Sequence, residues 1–187
     1  MSRIIWILVI MMALPATGFA APNRKTADGP YREYYPTGVV SREENYKNYS
    51  LHGTAKTFYE DGGLASIANY VDGKRQGAGK TFYENGKVET DGTFVDNELD
   101  GILSKYYETG ELERQSTFKA GRLEGPAKIY FKSGVIQKQM VYTNGVLSGS
   151  ATEFNEQGEL TAQEEYKEGN LISRKEYDQI LTATTQK

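Results

Sequence analysis

The sequence predicts an all-β protein: an elongated, single-layer twisted sheet built from about six 24-residue antiparallel hairpins. Three observations carry this. Gly29, Gly53, Gly77, Gly101, Gly125 and Gly149 recur every 24 residues without a slip. A second series, Gly38, Gly62, Gly86, Gly110, Gly134 and Gly158, runs nine residues behind at the same period. Aromatic residues keep that period in three columns. Such self-similarity within one chain marks a repeat architecture.

The first aromatic column is Tyr34, Phe58, Phe82, Tyr106, Tyr130 and Phe154. The second is Tyr35, Tyr59, Tyr83, Tyr107 and Phe131, broken by Asn155. The third is Tyr46, Tyr70, Phe94, Phe118, Tyr142 and Tyr166. With 14 Tyr and 7 Phe in the chain, these columns hold most of its rings. The core must therefore be largely aromatic. A fourth column, Val40, Leu64, Val88, Leu112, Ile136 and Leu160, is aliphatic.

Each unit reads as two strands and two turns. In Gly77–Asp100, a short strand ends in Phe82-Tyr83 and a second runs from about Val88 to Val95. Asn85-Gly86 between them suits the positive φ angles of a type I′ turn. Asp96-Asn97 then reverses the chain into the next unit, as Asp72-Gly73, Asn144-Gly145 and Glu168-Gly169 do elsewhere. A helical reading fails, because each internal glycine would cost about 1 kcal/mol and leaves intervals too short for stable helices. Stacked in order, six hairpins give a sheet roughly 58 Å long. Neighbour-to-neighbour contacts then supply the stability.

Outside the repeats the chain divides simply. Residues 1–20 have the form of a secretory signal: Arg3, an apolar run from Ile4 to Leu14, then Pro15, Gly18 and Ala20. Cleavage is expected after Ala20, giving an exported, periplasmic or secreted protein. The apolar run makes about 16 Å of helix, too short for a bilayer core of about 30 Å. Residues 21–28 read as a flexible lead-in, 29–180 as the repeat domain and 181–187 as a flexible tail. Ser173–Ile180 reads as a closing half-unit inside that domain.

Charge and composition exclude several function classes. The chain carries 22 Lys+Arg against 25 Asp+Glu. Losing Arg3 with the leader leaves 21 against 25, a net of −4. That is not the basic field that nucleic-acid binding needs. The absence of cysteine rules out a disulfide, a thiolate metal site and a cysteine nucleophile. His52, the single histidine, cannot build a multi-histidine metal site. It reads as a solvent-facing residue at the end of a unit, in a column with Gln76, Asp100, Glu124, Ser148 and Ile172. Glu60, Glu84, Glu108 and Glu156 recur at the hairpin turns, whereas one active site needs one special pair of carboxylates. They read as solvated turn residues. No enzyme activity, metal or cofactor is expected.

With glycine and aromatic columns in place, units such as GAGKTFYENGKVETDGTFVDNELD and GTAKTFYEDGGLASIANYVDGKRQ resemble the MORN repeat in its bacterial variant form. The resemblance covers about residues 29–172. It implies a MORN-like sheet of hairpins with no shared catalytic motif. It also implies antitoxin or immunity proteins as a candidate class.

A binding role follows. Tyrosine suits interfaces because it joins ring area to a hydroxyl with few rotatable bonds. A two-residue turn would set Tyr83 opposite Val88 on one face, and Phe94 would return to that face if no bulge intervenes. Those columns are the expected core. The column Tyr34, Phe58, Phe82, Tyr106, Tyr130 and Phe154 then points the other way, as the expected partner-binding stripe. The expected partner is a protein, with a cognate toxin as the leading case. The alternative is a glycan or lipid of the cell envelope, although anionic lipid prefers a basic surface.

Overall fold

The computed structural model describes residues 28–177. These residues form strands and turns and no helix. The expected leader (1–20) and tail (181–187) lie outside the described residues, as does most of the lead-in.

The first hairpin is β1 (Gly29–Tyr34) with β2 (Val40–Lys47), followed by the two-residue β3 (Ser50–Leu51). β4 (Gly53–Phe58) and β5 (Leu64–Val71) form the second. β6 (Lys74–Phe82) and β7 (Val88–Val95) form the third, followed by β8 (Glu98–Leu99). β9 (Gly101–Tyr106) and β10 (Leu112–Lys119) form the fourth. β11 (Arg122–Tyr130) and β12 (Ile136–Thr143) form the fifth, followed by β13 (Val146–Leu147). β14 (Gly149–Phe154) and β15 (Leu160–Lys167) form the sixth, and β16 (Asn170–Glu176) closes the series. All sixteen belong to one open sheet in sequence order, with β3, β8 and β13 pairing back on β2, β7 and β12. Every pairing is antiparallel.

The two turns of each unit differ from each other. Within the third hairpin, the Gly86 N–H donates to the Tyr83 carbonyl and the Tyr83 N–H to the Lys87 carbonyl, both at 2.9 Å. Only Gly86 in this loop has positive φ, at 80°. The loop is Glu84-Asn85-Gly86, a type I turn completed by a left-handed glycine. It replaces the two-residue type I′ turn expected from Asn85-Gly86. The primed geometry sits between units instead. There both loop residues have positive φ, as in Asp96 (50°) with Asn97 (76°) and Asn144 (50°) with Gly145 (81°). A two-residue loop needs that twist to keep its strands together.

The longer loop and a bulge reset the register. Phe82 opposes Val88, and Thr81 opposes Thr90, so Glu89 is an extra residue. The Thr81 hydroxyl meets both Glu89 Oε2 at 3.0 Å and Thr90 Oγ1 at 2.6 Å, which puts both side chains on one side of the sheet. All six hairpins carry this irregularity next to the first aromatic column. The expected Tyr83–Val88 pair is therefore not formed: Tyr83 pairs with Lys87 and Val88 with Phe82. A bulge adds one residue to one strand, which exchanges the faces beyond it.

A second irregularity lies at the unit junctions. The Asp100 N–H reaches back to the Thr93 carbonyl at 2.9 Å, and Gly101 follows with φ at 112°. That angle costs an L side chain strain that glycine avoids. The 24-residue glycine series thus serves junction bulges, while the series nine residues later serves the hairpin loops.

One face of the single layer is buried by its own side chains. Tyr70, Phe94, Phe118 and Tyr142 of the third column are almost wholly covered. Their rings lean over small neighbours: Gly79 lies diagonally across from Phe94, and a Cβ there would meet the ring at 3.1 Å. Phe118, Leu123, Ala127, Met140, Tyr142 and Ala151 form a buried cluster, with Leu99, Leu103 and Ile129 packed against them. Burying each large side chain contributes roughly 1.5–3 kcal/mol.

Candidate functional site

The expected binding residues form one row. Tyr34, Phe58, Phe82, Tyr106, Tyr130 and Phe154 are each the last residue of their leading strand. Each opposes an aliphatic partner, from Tyr34–Val40 to Phe154–Leu160. Side chains alternate faces along a strand. Phe82 follows Thr81, whose hydroxyl lies with Thr90 on the Phe94 face, so Phe82 and Val88 belong to the opposite face. Val88 therefore leaves the expected core and joins the stripe. Tyr34, at the sheet edge, is 58% exposed, and the other five are half-buried.

The same outer face carries the exposed aliphatics of the middle units. Val71, Val95, Ile102, Val141 and Val146 are 42–53% exposed. Each neighbours a residue of the buried face in its strand and so points outward: Val95 follows Phe94, and Val141 precedes Tyr142. The outer face is thus apolar along both margins, with aromatic rings at the three-residue loops and aliphatics toward the primed turns.

The second aromatic column does different work. Tyr35, Tyr59, Tyr83 and Tyr107 donate their hydroxyls to the carbonyls of Phe58, Phe82, Tyr106 and Tyr130 in the next unit, at 2.6, 2.5, 2.6 and 2.9 Å. Each phenol ties its hairpin to its successor. Burial, reinforced by nearby carboxylates, holds the Tyr59 and Tyr83 phenols above their ordinary pKa. Phe131 and Asn155 occupy this column where the ladder stops.

A second set of ties went unread in the sequence. Asp28, Gln76, Asp100 and Glu124 accept hydrogen bonds from the backbone N–H of Asn48, Asp96, Ala120 and Asn144, each twenty residues on. These side chains clamp the following primed turn. The signal available was the preference for acceptors in that column. His52 belongs to it, and is half-buried rather than solvent-facing, with Nδ1 at 3.4 Å from Asp72 Oδ1.

Charge networks close the buried face at its two ends. At the first hairpin, Arg42 lies 3.5 Å from Glu44, which accepts the Tyr46 hydroxyl at 2.7 Å. At the last, Lys138 contacts Glu153 at 2.7 Å and Glu164 at 3.0 Å, and Arg174 contacts both acids. Burial works against ionising Glu164, but bonds from Lys138 and Arg174 prevail and hold its carboxyl below the ordinary range. Among the described residues, no group of three or more His, Cys, Asp or Glu is placed to hold a metal ion.

The MORN repeat variant pattern matches residues 27–48, 51–72, 75–96, 99–120 and 123–144. The chain belongs to the MORN repeat variant family. Each match begins within two residues of the start of a hairpin's leading strand and ends in the primed turn, so the MORN unit and the structural hairpin coincide. No curated protein matches the chain. Solved structures to which the chain is similar include a TarM mutant of S. aureus in complex with Fondaparinux, alpha-GlcNAc-glycerol and UDP, at 13% identity and a TM-score of 0.37, covering 58% of this chain and 21% of that one. Another is the Glycosylation Associate Protein (Gap123) complex from Streptococcus agalactiae, at 17% identity and 0.33, covering 59% and 20%. A third is accessory secretory protein 1,2 and 3 of Streptococcus pneumoniae, at 15% and 0.33, covering 59% and 21%. The chain spans about a fifth of the length of these chains.

Proposed function

We propose that this MORN repeat protein is a non-enzymatic, exported binding module that docks another protein on its outer face. The observation that carries the reading is the alignment of Val71, Val95, Ile102, Val141 and Val146 on one face, all substantially exposed. Exposed apolar side chains aligned on one face of a single layer mark an interaction surface. The row from Tyr34 to Phe154 forms the second margin of the same surface and supplies rings able to anchor a partner. The partner proposed is a toxin neutralised by binding, which the family resemblance supports. Export rests on the leader pattern of residues 1–20.

The test is retention of protein from native envelope extract by the tagged chain, with mass spectrometry of what is held. The same assay is run with Val95→Lys and Ile102→Lys, which place charge on the outer face without touching the buried one. One dominant retained protein, lost with the lysine variants, is the expected result. Retention that ignores both substitutions, or retention of glycan or lipid in place of protein, would count against the reading.

A further inference from the structure

The geometry points to an oxyanion-binding site on the buried face, formed by Arg114 with Lys105 beside it. The other cations on that face are matched. Arg42 has Glu33 and Glu44 within 4.0 Å, Lys138 has Glu153 and Glu164, and Arg174 has the same two acids and Glu176. Arg75 donates to the Tyr70 hydroxyl at 3.1 Å and lies 4.9 Å from the centre of the Phe94 ring. Arg114 is the exception. Among the described residues no carboxylate pairs with it, and its Nε is enclosed without a hydrogen-bond acceptor. A buried guanidinium donor without an acceptor is costly, and it leaves the positive charge of Arg114 without an ion pair.

The surroundings sharpen this. Arg114 stands directly opposite Lys105 on β9, and like charges in that register repel. Glu113 is the nearby acid, and it is held by Lys105 at 2.8 Å. Turning Glu113 toward Arg114 would strip Lys105 of its partner. Lys105 takes the Glu113 carboxylate, and Arg114 forms no ion pair with it. On its other side Arg114 opposes Ile129, which offers no acceptor. An oxyanion at Arg114 would give the guanidinium the anion it lacks, with the Lys105 ammonium adding attraction from the opposite strand, and the guanidinium fork matches the geometry of a carboxylate or phosphate. The chain as a whole is negative, at −3, so general attraction cannot substitute for this local site. The site is on the face opposite the apolar surface proposed for protein docking, so each stands or falls separately.

Titration calorimetry on the full chain tests this with two probes at constant ionic strength: a tri-glutamate peptide and inorganic phosphate. Saturable binding of one equivalent is expected, weakened about tenfold or more by Arg114→Met and less by Arg114→Lys. Glu113→Gln raises the local charge and is expected to tighten binding. That variant keeps the test decisive should Arg114→Met fail to fold. Binding of the peptide alone assigns the site to carboxylates of a protein partner, and binding of phosphate alone to a phosphate-bearing ligand. No binding of either probe, or binding indifferent to both Arg114→Met and Glu113→Gln, overturns the inference.

Discussion

The tyrosine ladder makes a quantitative prediction in both directions. Tyr83→Phe removes one hydroxyl and its bond to the Tyr106 carbonyl, leaving the ring in place. A net hydrogen bond is worth about 1 kcal/mol. In a chain of this size that is a fall in Tm of roughly 2–4 °C. The reverse change is available two units on. Phe131 occupies the column without a hydroxyl, and the Phe154 carbonyl stands at the corresponding 23-residue spacing. Phe131→Tyr should extend the ladder by one rung and raise Tm by a similar amount. The two sites lie in different hairpins with no shared partner, so the double variant should return close to the parent. Thermal and urea unfolding followed by circular dichroism would measure all three. A Tyr83→Phe variant as stable as the parent, with no gain from Phe131→Tyr, would refute the view that these phenols join units through hydrogen bonds.

Three further outcomes are expected. Gly77→Ala places a Cβ in open space at a φ of 78°, so its cost is backbone strain alone, roughly 1–2 kcal/mol; Tyr49→Gly, at a φ of 61°, should recover about 0.5–1 kcal/mol, both read by urea unfolding. Lys138→Met leaves Glu164 short of a partner on the covered face and should cost about 1–3 kcal/mol at neutral pH, much of it regained in Lys138→Met/Glu164→Gln. Burial, the leading cause in each case, raises the phenol pKa of Tyr46, Tyr59, Tyr83, Tyr142 and Tyr166. The folded state then holds these protons more tightly than the unfolded one, so their contribution is intact below about pH 10 and lost as pH rises beyond it. Phenolate absorbance should rise together with loss of the sheet; ionisation of all the tyrosines with the sheet intact would contradict this.

The repeat makes the architecture legible in the sequence. Hairpin length and strand limits follow from period and alternation. The faces were harder. Asn85-Gly86 carries the composition of a primed turn, yet Glu84 joins it in a three-residue loop, and the extra residue at Glu89 shifts the pairing again. Composition alone does not distinguish these loops, because Gly86 supplies a positive φ to both. The ties made by Asp28, Gln76, Asp100 and Glu124 were equally hidden, since their partners are backbone N–H groups that carry no sequence signature.

The sequence by itself determined that this chain is a six-unit MORN-type sheet whose apolar content is chiefly aromatic. Its strict 24-residue period admits no other regular packing. Only the tertiary structure decided which rings are covered, which tyrosines tie units together and that Arg114 lies on the covered face with its Nε enclosed and without an acceptor among the described residues. Those facts depend on bulges and on contacts between neighbouring hairpins. A bulge costs one residue in the sequence but exchanges the two faces of the sheet, so local pattern cannot carry the outcome across it.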